Sequence, residues 1–185
     1  MIGLTIIAVF AMSAFAAASA SASLFLSTQT TTLLDKSTSS HTFTTGGGAS
    51  VVCSGETSTG KATAGGQLEV LSLVKYTGCK VSIFEATVSE ADYDFSADGL
   101  VNLLNTVTIN VPAGGCHVTV GPQDLNNAAK YDNLAGGQVD VLANATGISS
   151  TGSGGSCGGA SNTGTYSGNS LVTPHAGAFS WDAGA

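Results

Sequence analysis

The side chains able to do acid–base or nucleophilic chemistry in this chain are three histidines, twelve carboxylates and many serines. His41, His117 and His175 stand far apart, and none belongs to a His-Glu-x-x-His pair that would hold zinc on one helix face. The one Gly-x-Ser-x-Gly spacing, centred on Ser156, falls in a Gly/Ser run with no strand-to-helix pattern around it, so it does not read as the strained turn that lifts a nucleophile above a sheet. A Ser–His–acid constellation is defined by geometry, so the sequence neither assembles one nor forbids it. Isolated histidines in such a chain are more often surface or structural groups. Two carboxylates for glycoside hydrolysis would have to face each other across a cleft. Glu85 and Asp94 are conceivable as such a pair, but nothing around them selects them. The expectation is a protein that is not an enzyme and needs no cofactor, with a secreted hydrolase ranked last among the alternatives.

The most acidic segment, residues 90–99, carries Glu90, Asp92, Asp94 and Asp98 with Tyr93 and Phe95 between them. Hard oxygens two residues apart are what calcium loops supply. Asp92 and Asp94 are therefore weak calcium candidates, although Phe95 stands where the turn glycine of an EF-hand belongs. The competing account is a half-buried strand, with Asp92 and Asp94 toward water and Tyr93 and Phe95 toward the core. That account is preferred, and no metal site is expected. Tyr131, Tyr166 and Trp181 are the candidate binding surface, since exposed aromatics could stack on sugars or on a partner's side chains. Burial in the core is the commoner fate of each.

Charge excludes several partner classes. Five lysines, no arginine and twelve acidic residues give a formal charge of −7. Phosphate recognition favours arginine forks and nucleic-acid binding needs a basic stripe, so nucleic acid is not a partner. An anionic membrane surface is disfavoured for the same reason. The partner is unknown from sequence; the candidates are a cell-wall polymer, a glycan or another surface protein.

Cys53, Cys79, Cys116 and Cys157 form no Cys-x-x-Cys pair and have no histidine at zinc-finger spacing. His117 follows Cys116 directly, but adjacent strand residues point to opposite faces and would not easily share a metal. Disulfides are the default. Of the three possible connectivities, the sequential one is expected, Cys53 with Cys79 and Cys116 with Cys157. The first would tie an early strand region to a central one, and the second would pin a Gly/Ser-rich stretch to a strand.

The elements that must position these groups read as strands. Charged residues are only 9% of the chain, hydrophobic ones 43%, and glycines number 25. Low charge with many Thr, Ser and Val suits an extracellular all-β domain. Residues 67–88 hold two apolar β-branched runs around Thr77-Gly78, which predicts a hairpin turning there. Leu68, Val70, Val74 and Tyr76 share one face before it, and Cys79, Val81 and Ile83 share one after it. Gly46-Gly47-Gly48 is a loop and not a phosphate cradle, since no Gly-Lys-Ser/Thr ending follows. Further strands are expected over 100–111, 116–120 and 139–141, with a short helical turn before Tyr131. Residues 146–164 read as a floppy Gly/Ser/Thr segment, and Leu171, Val172, Phe179 and Trp181 close the domain. No long 3.6-residue apolar period occurs after the N-terminal run. The fold expected is an antiparallel β-sandwich, Ig-like or jelly-roll-like.

Residues 2–18 are almost wholly apolar and are followed by small residues with Ala-x-Ala sites at 18–22. That is the pattern of a secretory signal peptide, although no Lys or Arg precedes the run. The expected organisation is a signal helix over 1–22, an extended Ser/Thr-rich arm or edge strand over 23–45, and a single sandwich domain over 46–185. If the leader is retained, it is the chain's only membrane contact.

Several short motifs occur in a telling order: Val52-Cys53, Tyr76-Thr77-Gly78-Cys79, Ala91-Asp92-Tyr93-Asp94-Phe95, Cys116-His117-Val118-Thr119-Val120, Gln123, Tyr131-Asp132-Asn133 and Thr165-Tyr166-Ser167-Gly168. In this the chain resembles a family of small secreted, disulfide-containing β-rich proteins of actinobacteria with no assigned function. The resemblance spans nearly the whole chain. It implies a further cysteine pair at the positions of Ala91 and Asn105, absent here from both, and it carries over no catalytic residues. Function is then expected to be that of an extracellular or cell-surface binding module, with a structural envelope or matrix component as the alternative.

Overall fold

The computed structural model describes residues 22–154, 157 and 159–184, so the expected signal segment lies outside it except for Ala22. The fold is antiparallel β throughout, with one short 3₁₀ turn at Pro112–Gly114. The strands are β1 Leu24–Ser27, β2 Thr31–Ser37, β3 His41–Thr44, β4 Ser50–Ala62, β5 Gly65–Gln67, β6 Glu69–Val81, β7 Phe84–Val88 and β8 Ala91–Ser96. They continue as β9 Val101–Leu103, β10 Val107–Val111, β11 Cys116–Val120, β12 Gln123–Leu125, β13 Ala129–Leu134, β14 Gln138–Ser153, β15 Ala160–Pro174 and β16 Phe179–Asp182.

Two sheets result, a small one ordered β16-β1-β5 and a large one holding the remaining strands. The large sheet closes on itself. Pairing runs β6–β7–β10–β11–β14–β15–β2–β4 and returns from β4 to β6. The layers of this sandwich are thus joined by hydrogen-bonded strands, which leaves the circuit without a free edge. Strands β8, β9 and β12 branch from the lower half of β6. Val111, Val118 and Val139 are the largest side chains buried completely in the core. The small sheet packs through Phe25, whose ring lies 4.9 Å from that of Tyr131 and 5.6 Å from that of Phe179.

The stretch expected as an arm or edge strand is neither. It forms β1, β2 and β3, and β2 is paired on both sides, with β15 and with β4. Its Ser/Thr content misled because, in a sheet with one wet face, every second residue can be polar and still lie mid-sheet. The expected helical turn before Tyr131 is replaced by β12, a turn at Asn126-Asn127 and β13. Most of the Gly/Ser/Thr run over 146–164 lies in the long β14–β15 ladder, whose partners extend from Val139↔Val172 to Thr151↔Ala160. A ladder needs backbone groups, and threonine and serine side chains suffice to cover its outer face.

The hairpin over residues 67–88 exists, but it turns at Ser82-Ile83, where Val81 faces Phe84 and Ser82 has φ 56°. Thr77-Gly78 lies inside β6. Gly78 has φ 59° there, and a Cβ at this position would collide with Ser54 Oγ. The effect is a change of parity. Val70 and Val74 point inward before Gly78, whereas Cys79 points inward after it. Opposite, in β4, Val51 and Cys53 point inward, then Glu56 and Ser58 do. Both strands slip together, so the register Cys53↔Cys79 and Glu56↔Tyr76 is continuous across the bend. The expected shared face of Val70, Val74 and Tyr76 is correct, but Leu68 and Ile83 are exposed.

The disulfides are Cys53–Cys79 and Cys116–Cys157, the sequential pairing. The first joins directly facing residues of β4 and β6. The second ties the start of β11 to the connection between β14 and β15. In loop-entropy terms each contributes on the order of 3–4 kcal/mol. Asn105 bonds to the backbone on either side of Ala91: its Oδ1 accepts from Asp92 N at 3.0 Å and its Nδ2 donates to Glu90 O at 3.1 Å.

Candidate ligand cavity

The parity change has a chemical result, because it turns Glu56 into the interior, where it is 3% exposed. Neighbouring inner positions bring other polar groups to it. Asp35 faces Ser58 across the β2–β4 ladder, and His41 faces Cys53 across β3–β4. Ser170 and Tyr166 come from alternate inner positions of β15, with Gly168 between them. A Cβ at Gly168 would lie within 2.8 Å of His41 Cε1, so the missing side chain is what leaves room for the imidazole. Tyr76 from β6 and Tyr93 from β8 complete the group.

These groups form one directed hydrogen-bond chain. Ser170 Oγ donates to Glu56 Oε2 at 2.7 Å. Its oxygen can then accept from His41 Nε2, 3.4 Å away. That tautomer leaves His41 Nδ1 to accept from the Tyr166 hydroxyl at 2.5 Å. Tyr166 accepts from Tyr76 at 3.1 Å, and Tyr76 from Tyr93 at 3.3 Å. From the other side, Ser72 Oγ donates to Ser58 Oγ at 2.9 Å and Ser58 Oγ to Asp35 Oδ2 at 3.2 Å. Asp35 Oδ1 is buried and accepts from no hydroxyl or amide. A proton on the adjoining Glu56 carboxyl provides the hydrogen bond between the two acids.

Burial sets the charge states. Desolvation pushes the Asp35 carboxyl up to about 6, opposed by its hydrogen bonds. Desolvation pushes Glu56 up to about 7, aided by the Asp35 charge beside it. Burial lowers the His41 pKa, so its neutral form is favoured. Tyr76 is pushed far above the usual phenol range by burial and by the neighbouring Tyr166 and Tyr93; Tyr166 is pushed likewise by burial and by Tyr93, against the hydrogen bond from Tyr76, and Tyr93 is raised chiefly by burial. Near neutral pH the interior thus holds about one negative charge on the acid pair.

This polar wall borders an apolar cavity of about 110 Å³. Val74, Phe95, Leu103, Ile109, Ala145 and Ile148 are among its apolar lining, together with His41, Glu56, Ser170 and the three tyrosines. A second, smaller cavity of about 40 Å³ lies on the far side of Asp35, which lines both.

The constellation contains serine, histidine and acid but is not a hydrolytic triad. The acid lies 3.7 Å from His41 Nε2, the nitrogen that would have to serve the serine, while Nδ1 is occupied by Tyr166. Ser170 is also only 6% exposed. His117 and His175 are on the surface. Glu85 is exposed and pairs with Lys80 at 3.6 Å, so it makes no cleft with Asp94.

The aromatic candidates do not form an exposed face. Tyr131 is 4% exposed and donates its hydroxyl to Ser96 O at 2.9 Å. Trp181 is half-buried, with Nε1 donating to Ala97 O at 2.7 Å. Tyr166 is half-buried with its hydroxyl in the interior chain. Asp92 and Asp94 lie on β8 as the strand account requires, with Tyr93 and Phe95 lining the cavity. Asp92 is exposed; Asp94 is partly buried and its carboxyl raised by desolvation and by Glu69. Sequence reasoning missed Asp35 and Glu56 altogether. The available signal was a pair of facing breaks, Ser54-Gly55 and Thr77-Gly78, whose meaning needs the register.

No protein-family model matches the chain, and neither curated proteins nor solved structures yield a match. The two disulfides fit an oxidising, extracellular setting. Among the described residues no helix is long and apolar enough to cross a membrane.

Proposed function

We propose that this protein is an exported, extracellular or cell-surface binding module that takes a small, mainly apolar ligand into the interior of its β-sandwich. The observation that supports this reading is the cavity of about 110 Å³, apolar over most of its wall and provided with one cluster of converging polar groups. Ligand sites have that composition, apolar surface for affinity and a few fixed polar groups for orientation. An apolar void of similar size in another protein stays dry and takes up benzene. The N-terminal leader, the disulfides and the resemblance to small secreted actinobacterial proteins support export.

Benzyl alcohol titrated calorimetrically into the mature protein tests the proposal. Saturable binding is expected, and it should vanish in Ala145→Leu, which fills the cavity from β14. Absence of saturable binding to the wild type, or equal binding by Ala145→Leu, overturns it.

A further inference from the structure

The cavity's polar wall carries a selectivity that its apolar lining does not. We propose that the site prefers ligands bearing a protonated amine, seated with the ammonium against the Asp35 and Glu56 carboxyls and beside the tyrosine rings. This rests on the cavity-binding reading above and adds the chemistry of the head group.

Four observations converge on it. Acidic side chains enter this interior from two adjacent strands, Asp35 from β2 and Glu56 from β4. No lysine among the described residues lines the cavity, and the chain has no arginine. Among the described residues the one basic group there is His41, whose Nδ1 is engaged by Tyr166 and whose Nε2 faces Ser170. Asp35 Oδ1 is buried and accepts from no hydroxyl or amide, so the proton it shares with Glu56 is its one source of a hydrogen bond among the described residues. An anionic ligand would meet a like charge in a low-dielectric site, which is costly, whereas an ammonium would supply the missing positive charge and take the place of the shared proton as donor.

The aromatic groups suit a cation as well. Tyr76 and Tyr166 have ring centroids 6.3 Å apart, and His41 lies about equally far from each, 6.0 and 5.9 Å. A cation seated among them within about 6 Å of a tyrosine ring centroid is attracted by the ring face. Their hydroxyls are already committed to the chain ending at His41, so they do not compete with the ligand as donors to the carboxyls.

Seating an ammonium beside the acid pair expels the proton they share. No bond other than O–H is broken: the proton leaves the carboxyl for solvent, and the ligand's positive charge replaces it. The groups that face the pair are His41 on β3, Tyr76 on β6, Tyr93 on β8, and Tyr166 with Ser170 on β15. The tyrosines remain neutral throughout, which leaves the carboxyls as the proton source.

The test compares three probes of one shape, benzylamine, benzyl alcohol and benzoate, titrated calorimetrically into the mature protein at pH 6.5 in two buffers of different ionisation enthalpy. Benzylamine should bind about tenfold more tightly than benzyl alcohol, the discrimination that one charge-assisted hydrogen bond supplies. Benzoate should bind most weakly. Benzylamine binding should release protons to the buffer and benzyl alcohol binding should not. In Glu56→Gln the alcohol should still bind, while the amine preference shrinks and proton release disappears. If Glu56→Gln fails to fold, Asp35→Asn serves in its place, and the wild-type comparison of the three probes decides by itself. Binding of benzyl alcohol as tight as that of benzylamine, or amine binding without proton release, overturns the inference and leaves the cavity reading standing. If none of the three binds, both fall.

Discussion

Replacing Glu56 with glutamine should stabilise this protein at alkaline pH and remove much of its pH dependence. In the folded chain Asp35 titrates at about 6 and Glu56 at about 7, against 3.8 and 4.5 for the ordinary groups. Both carboxyls therefore keep protons that the unfolded chain has already released. Between about pH 4 and 7 the native state binds more protons, so stability is greatest below that window and falls as pH rises through it. A rise of about two pH units in one carboxyl corresponds to about 3 kcal/mol. Because the two acids share a proton, about 3 kcal/mol is the scale for the first ionisation of the pair, and the second adds to it at higher pH. His41 works in the opposite direction. Burial lowers its folded pKa, so it withdraws stability as pH falls below about 6.5 and flattens the profile there. Glutamine keeps the shape of a protonated glutamate. Its oxygen can accept from Ser170 and its amide can donate to Asp35, without a charge to desolvate. At pH 8 the variant should then be more stable than wild type by about 3 kcal/mol, roughly 6–12 °C in melting temperature for a domain of this size. At pH 4 the two should nearly coincide. Urea unfolding followed by Trp181 fluorescence, disulfides intact, measures both. A wild-type profile that is flat or rising from pH 5 to 8, or a variant with the wild-type slope, refutes the reasoning.

Three other outcomes follow from the same geometry. Gly78→Ala forces a Cβ into the left-handed region and against Ser54 Oγ, and should cost about 1–3 kcal/mol in urea titration, with part recovered when Ser54→Ala is added. Tyr166→Phe leaves His41 Nδ1 and the Tyr76 hydroxyl without their buried partner and should cost about 1–3 kcal/mol, while Ser167→Ala on the exposed face of β15 should change the urea midpoint little. Non-reducing peptide mapping should recover Cys53 linked to Cys79 and Cys116 to Cys157; a peptide joining Cys53 to Cys116 contradicts the fold.

Class and cross-links were legible from residue types because both depend on local chemistry. Alternating Val, Thr and Ser with few charges suffices for strands, and the alternation of Tyr93 and Phe95 with Asp92 and Asp94 announces which face is inner. The sequential disulfides were legible because Cys53 and Cys79 flank strand regions that had to meet. The polar cavity was not legible. A strand's period of two assigns faces only until something breaks it, and of the two breaks, at Ser54-Gly55 and Thr77-Gly78, only the second stands out in the sequence, where it reads as a turn. Tertiary pairing decided otherwise: β4 and β6 cross the breaks together in one register, and the shared slip turns Glu56 inward, to the face that Val70, Val74 and Tyr76 share. It also decided which aromatics are free, since Tyr131 and Trp181 are held by carbonyls of residues 96 and 97, more than thirty positions away. What the amino-acid sequence by itself determined is a β-rich chain suited to oxidising surroundings. That a carboxyl pair, a histidine and three tyrosines meet at one apolar cavity was decided by strand register, which arises from backbone pairing between distant segments and leaves no local mark.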